Sequence, residues 1–302
     1  MGAAALEHTT IGRPVEVAGP GLFCARVCRV VIRPASAGHG VVFKRVDAEG
    51  GGATIAALAG NVRARPRQTV LAASGAGGGV VPVTVQTVEH ILSALVGTGC
   101  GDVLVEVDGP EIPLADGSSA AFARAILEAG VVPSVGSVGS SARPPSVPIV
   151  VTTPIEVAEG DARIVALPSS GPVLDVTYDL DYGPGAPMGP QSGYYRHDYA
   201  KPDAAAYAAE IAPARTFATQ AEAEQLRASG LFGHLSPGDV VVLGASGPIG
   251  TALRFRNEPA RHKVLDVIGD LALAGRPIFA RINAARSGHA LNHRMAQILS
   301  TL

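Results

Sequence analysis

RHKVLDVIGDLALAG, residues 261–275, decides the reading of the chain, because it combines an apolar helical pattern with chemistry on one face. Val264, Leu265, Ile268 and Leu271 recur at helical spacing, and Gly275 supplies a stop. His262, Asp266 and Asp270 are four residues apart, so a helix stacks an imidazole and two carboxylates on one side. His and Asp at that spacing are half of a metal site; a solvated helix face is the plainer alternative for this segment alone.

Working outward, residues 87–99, TVEHILSALVGTG, repeat the plan. A histidine, His90, opens an apolar helix that ends at glycine, and the strand pattern DVLVEVDG follows, as PIFARINA follows the later helix. Each helix is preceded by β-branched extended segments: VCRVVIRPA and GVVFKRVD before the first, VPIVVTTPIEVA, ARIVALPS and VLDVTYDLD before the second. A duplicated α+β unit accounts for this. Residues 131–147 are rich in Ser, Gly and Pro and have no apolar period. They are read as the connection, with 1–134 as a first α+β domain, 135–147 as linker and 148–302 as a second. Two more helical stretches, DAAAYAAEIAPA and QAEAEQLRASG, and a region of short strands and turns, LSPGDVVVLGASGPIG, belong to the second half.

The chain has 302 residues, 47% hydrophobic and 17% charged, enough for a real core and unlike a disordered chain. Lys and Arg number 24 against 26 acids, which predicts no nucleic-acid footprint. Three cysteines, Cys24, Cys28 and Cys100, are too few for a disulfide framework and fit a reducing compartment; Cys24 and Cys28 lack the company a zinc site needs and are read as small buried residues. No secretory signal and no membrane span of about 18 apolar residues is expected, so the protein is read as cytoplasmic.

His90 is available as a third ligand beside His262 and Asp266. Two imidazoles and a carboxylate leave tetrahedral zinc an open position, the composition of a catalytic site. Glu89 sits at the helix start, where a carboxylate either favours the helix dipole or takes a proton from water. His289, in ARSGHALNH, follows a strand; taken alone it reads as a surface-loop histidine, and facing the metal it becomes a candidate acid with Asp270 as its partner. His8, His39, His197, His234 and His293 are read as surface or structural residues. Glu111 and Asp116, in PEIPLADGSSAAF, are read as structural too, with Asp116 or Ser118 capping a helix near Ala120.

Taken together, TVEH (87–90), PEIPLADGSSAAF (110–122), ARTF (214–217), RHKVLDVIGDL (261–271) and SGHALN (287–292) closely resemble the UDP-3-O-acyl-N-acetylglucosamine deacetylases, in order and across both halves. The resemblance implies two similar domains packed as a β-α-α-β sandwich with helices inward. It implies zinc, with iron(II) also accepted by the ligand set, held by His90, His262 and Asp266. Glu89 would be the general base, His289 the acid with Asp270 as partner, and Thr216 a donor to the oxyanion. Phe217 and Lys263 would line the substrate site, and Arg286 would meet a diphosphate oxygen. The implied reaction removes acetate from UDP-3-O-acyl-N-acetylglucosamine, the committed step of lipid A synthesis. The implied enzyme is a monomer that meets a membrane only transiently, through its acylated substrate. A zinc amidohydrolase on another acylated sugar, and a non-catalytic homologue binding a lipid or nucleotide sugar, are the alternative readings. Two departures stand out: GLFCAR (21–26) has Phe23 where the family has histidine, and Ala218 and Thr219 follow ARTF in place of Gly-Phe.

Overall fold

The computed structural model describes residues 6–48, 52–73, 82–136 and 146–302. Its first large sheet contains β1 (Val15–Pro20), β2 (Val27–Pro34), β3 (Val41–Arg45), β4 (Thr54–Ala56) and β5 (Val103–Asp108), in the order β1-β2-β5-β3-β4. A second is built from β6 (Ile155–Glu159), β7 (Ala162–Leu167), β8 (Val173–Leu180), β9 (Gln191–Asp198) and β10 (Ile278–Ala285), in the order β6-β7-β10-β8-β9. Orders and directions coincide. In each sheet the last strand in sequence lies at the centre, parallel to the third strand and antiparallel to the second. The short strand Ile149–Val150 adds a parallel pairing to β10. The expected duplication is therefore present in the topology.

The strands follow the alternation of their side chains. In β2, Cys28, Val30 and Ile32 point inward while Arg29 and Arg33 face solvent, the period of a sheet with one wet face. Val131–Pro133, read from sequence with the unpatterned connection, forms a strand antiparallel to Thr9–Ile11. Turn-type composition did not prevent pairing there, because an edge strand tolerates Pro133. Much of the linker, 137–145, lies outside the described residues.

The helices are α1 (Glu89–Thr98), α2 (Ala120–Ala129), α3 (Ala204–Glu210), α4 (Gln220–Ala228), α5 (Glu258–Leu271) and α6 (His289–Ser300). α5 begins three residues before the quoted stretch, with Pro259 in its first turn, where proline's missing N–H costs nothing. α1 and α5 are buried almost all round, as befits helices apolar on more than one face. One continuous core runs from Val30, Phe43 and Val105 of the first sheet through Leu92, Leu95, Val264 and Ile268 to Ile164, Val176 and Ile282 of the second. The architecture is α+β with helices sandwiched between sheets.

Two smaller three-stranded sheets flank this frame. Val62–Arg63, Val70–Ala72 and Thr84–Gln86 lead into α1, and Phe217–Thr219, Val241–Gly244 and Gly247–Ile249 enclose α4. α4 carries a complete capping box between Thr219 and Glu222. A separate apolar cluster of Leu22, Leu114, Phe232 and Val240 forms beside this second sheet. Glu111 is structural, as expected. Its buried carboxylate accepts the backbone N–H groups of Leu22, Phe23 and Cys24 and the Thr87 hydroxyl. Ser118 accepts the N–H of Ala120 at the start of α2, and Asp116 in turn accepts from Ser118. Cys28 and Cys100 are buried, but Cys24 is only half-buried, because its loop lies at the surface over Glu111.

α1 and α5 meet backbone to backbone. A Cβ on Gly269 of α5 would lie 2.1 Å from the carbonyl oxygen of Glu89 in α1. Gly97, one face further along α1, gives the same close passage to the Tyr207 ring, 2.3 Å from a Cβ placed there. Gly269→Ala should therefore destabilise by about 1–3 kcal/mol through overpacking, whereas the same change in an open helix stabilises by up to about 1 kcal/mol. A denaturant midpoint equal to or above that of the unaltered chain would contradict this packing.

Candidate active site

The helix contact brings the first-half and second-half candidates together. Ligand atoms of His90, His262 and Asp266 all lie within 4.8 Å of one another, and all three side chains are buried. His262 is oriented from behind. His262 Nδ1 donates to the carbonyl of Ala214 at 3.0 Å, which fixes its tautomer and leaves Nε2 with a lone pair. That Nε2 faces Asp266 Oδ1 at 3.4 Å. Two acceptors this close repel unless a cation lies between them, so the donor set fits a divalent metal. The His90 ring stands edge-on to His262, centroids 5.1 Å apart. The carbonyl of His90 is tied down by the hydroxyl of Ser119 at 2.8 Å. Burial, aided by His262, pushes His90 down to about 3, which keeps the ring neutral and able to ligate. Burial works against the charge on Asp266, but Lys263 and the imidazoles outweigh it and hold the carboxyl at about 2.

Glu89 lies beside the triad with its Oε2 accepting the N–H of Thr69 at 3.1 Å. Burial, with Asp270 and Asp266 adding to it, raises its carboxyl to about 8, while His289 pulls the other way. Across from it, His289 Nε2 is 3.9 Å from Glu89 Oε1. The other nitrogen of His289 meets Asp270 Oδ2 at 2.8 Å. Burial disfavours the imidazolium, but Asp270, that hydrogen bond and Glu89 together raise it to about 9. Asp270 is driven well below the usual carboxylate range: burial opposes its charge, and His289 and His293 outweigh burial.

These groups open onto a cavity of about 530 Å³, lined by Glu89, His90, Thr216, Phe217, His262, Lys263, Asp266, Arg286 and His289 among others. All ten candidate residues but Asp270 thus border one space, and Asp270 stands directly behind His289. Thr216 is half-buried at its wall, its backbone locked to Gly117 and Val241. Phe217 sets its ring edge-on to His262, centroids 6.3 Å apart. Lys263 and Arg286 are less free than the sequence suggested. Lys263 is ion-paired with Asp266, and Arg286 pairs with Asp181 at 2.5 Å and Asp161 at 3.3 Å. Phe23 lines the same cavity, its ring tilted by 42° against that of Phe232 with centroids 5.9 Å apart. A larger cavity, about 750 Å³, opens toward the other end of the two helices along Leu92, Leu95, Ile268 and Leu271 and contains none of the candidates.

Several residues here were passed over in the sequence. Thr69 joins Glu89 to Asp270, giving its hydroxyl to Asp270 Oδ1 at 2.6 Å. It lies in an unmarked stretch, and only tertiary structure brings it in. His293 was read as surface or structural; it is buried and 3.3 Å from Asp270 Oδ1. Its spacing of four from His289 is the same signal that singled out His262 and Asp266. Asn292 donates to Asp270 Oδ2 at 2.9 Å. Arg215, within ARTF, is buried against Glu258 at 2.8 Å and ties that segment to the first turn of α5. His197 is likewise buried, the structural alternative of its reading.

Residues 8–301 match the family model described as "LpxC: UDP-3-O-acyl N-acetylglycosamine deacetylase". A UDP-3-O-acyl-N-acetylglucosamine deacetylase of Geobacter sp. (strain M21) is 34% identical over 287 residues, 95% of this chain and 86% of the relative. That of Thermosynechococcus vestitus is 33% identical over 296 residues, 98% and 95% of the two chains. That of Synechocystis sp. is 36% identical over 288 residues, 95% and 96%. The ordered motifs, the paired sheets and these relatives agree: the chain belongs to the UDP-3-O-acyl-N-acetylglucosamine deacetylase family.

Proposed function

We propose that the chain hydrolyses the acetamide of UDP-3-O-acyl-N-acetylglucosamine to the free amine and acetate, the committed step of lipid A synthesis, with zinc held by His90, His262 and Asp266. The observation that carries this reading is the convergence of a His2Asp donor set with a buried carboxylate, Glu89, and a carboxylate-backed imidazole, His289, on one cavity. The same donor set accepts iron(II), so metal analysis belongs in the test.

A cation on these three side chains would supply Lewis acidity toward the acetamide carbonyl and toward the attacking water. Glu89 takes a proton from that water as its oxygen bonds to the carbonyl carbon. The Thr216 hydroxyl and the imidazolium of His289 stabilise the negative charge that develops on the carbonyl oxygen. The carbon–nitrogen bond then breaks while His289 Nε2 passes its proton to the departing nitrogen, and acetate is left. Asp270 keeps His289 charged. Phe217 and Lys263 border the substrate, and Arg286, on the cavity wall, serves the diphosphate by exchanging its present acidic partners for phosphate oxygens. The apolar cluster with Phe23 and Phe232 suits the acyl chain. Equivalence of the two sheets supports reading 1–134 and 148–302 as two domains joined by 135–147. No helix among the described residues is long and apolar enough to cross a membrane. We read the protein as a cytoplasmic monomer that approaches a membrane only through its substrate.

Acetate release from the UDP-sugar, measured with the metal content of each variant, tests the assignment. Glu89→Ala should retain metal and lose activity by a factor of about 10²–10⁴, and His262→Ala should lose the metal itself. Near-normal turnover in the first variant would remove Glu89 from the chemistry. The pH profile tests the acid. His289 must be protonated to act and is held at about 9, so the rate should fall as pH rises through that value. Glu89 must be ionised; a cation on its neighbours favours that form and moves the acid limb below about 8. Asp270→Asn removes the main anion sustaining the imidazolium, so the alkaline limb should shift to lower pH. An unmoved limb would exclude His289 as its source.

A further inference from the structure

His293 makes contacts that the reaction scheme leaves unused. It sits on α6 one turn after His289, the two rings 6.1 Å apart and tilted by 27°. Its Nε2 lies 2.8 Å from the hydroxyl oxygen of Thr69 and 3.3 Å from Asp270 Oδ1. A hydroxyl has a single proton, and Thr69 gives it to Asp270 Oδ1 over the shorter distance of 2.6 Å. Thr69 must therefore accept at its other contact, which makes His293 Nε2 an N–H donor. The order of donation is His293 to Thr69 to Asp270 Oδ1. On the other side of the carboxylate, Oδ2 accepts from Asn292 and from His289 Nδ1. Asp270 is thus gripped through both oxygens and cannot turn about its side-chain axis.

We propose that His293 is a positioning residue: through Thr69 it locks the Asp270 carboxylate so that Oδ2 faces His289 Nδ1 and His289 Nε2 is the nitrogen turned toward Glu89 and the cavity. This rests on the reading of His289 as the proton donor. Without the His293 donor, the Thr69 hydroxyl keeps a buried, unpaired lone pair. His289 Nδ1 is only 3.4 Å from that hydroxyl and becomes a competing donor to it. Its bond to Asp270 then loses its fixed direction. The groups facing this set are Glu89 from α1, Asp266 and Asp270 from α5, and Asn292 from α6.

The test compares H293Q, whose amide can still donate, with H293L, which keeps the bulk and cannot, in the metal-loaded full chain. H293L should lose kcat by about tenfold with KM changed by less than about twofold, because only the transition state uses the oriented proton. H293Q should retain at least about half of the unaltered kcat. In NMR spectra of histidine-labelled protein, the downfield Nδ1 proton of His289 should persist in H293Q and vanish through exchange in H293L. Equal kcat in the two variants, or an Nδ1 signal that survives in H293L, overturns the proposal. If the unaltered chain released no acetate, the functional reading would fall, and the NMR comparison alone would decide the role of His293.

Discussion

The site depends on how closely α1 and α5 pass. Helices usually pack with 8–10 Å between their axes, the separation set by the side chains at the contact. Here glycine at 269 removes the side chain at the crossing, next to the carbonyl of Glu89. Glu89 and His90 lie in the first turn of one helix. His262, Asp266 and Asp270 climb one face of the other. Three candidate ligand atoms within 4.8 Å of one another leave little tolerance, so a helix separation wider by a methyl group would loosen that donor set and the pairing of Glu89 with His289 together.

That proximity concentrates charge where water cannot screen it. Glu89, Asp266 and Asp270 are all buried, with His90, His262 and His293 buried beside them and Lys263 and His289 close by. Burying ions costs several kcal/mol apiece unless partners compensate. The compensation is uneven, and the unevenness separates roles. Asp270 and Asp266 have cationic partners at hydrogen-bonding distance and remain ionised. Glu89 has a backbone N–H and a distant imidazole, so its proton affinity rises toward that of a working base. His90 and His262 are kept neutral by the same burial that His289 overcomes with Asp270. Surroundings alone thus give three carboxylates and three imidazoles different proton affinities, and the proposed roles of ligand, base, acid and support follow that division.

What could be read from the sequence follows the same division. Residues that act from within a helix announce themselves by spacing, as His262, Asp266 and Asp270 do, and the repeated plan of strands, helix and strand disclosed the paired sheets. His293 carries the same four-residue signal relative to His289, but a histidine with no acidic residue at helical spacing reads as surface or structural. Thr69 had no signal at all. Its role needs a residue 201 positions away in the chain, and side chain–backbone and side chain–side chain bonds over such distances leave no local pattern. The salt bridges of Arg286 with Asp161 and Asp181 were invisible for the same reason, whereas the Lys263–Asp266 pair, three residues apart on α5, had a helical spacing that could have shown it. Periodicity reports which face a residue is on, and cannot report which partner arrives opposite.

The outer wall of the cavity is built on different material from its floor. The proposed ligands and base, His90, His262, Asp266 and Glu89, stand on buried helices between the two sheets. Phe23, Phe217 and Phe232 come instead from loops and from the small sheet around α4. The two stretches that depart from the family pattern, 21–26 and 218–219, both fall in this peripheral layer. The layer is nevertheless anchored. Glu111 binds three successive N–H groups of the Phe23 loop and the hydroxyl of Thr87, two residues before Glu89. Arg215 and Glu258 fasten the ARTF segment to the first turn of α5, four residues before His262. Side chains in the outer layer can therefore vary while its backbone stays in register with the helices. Breaking the Arg215–Glu258 pair leaves an uncompensated buried charge, and removing Glu111 leaves three backbone N–H groups without their acceptor, so the freedom of the outer layer ends at Glu111, Arg215 and Glu258.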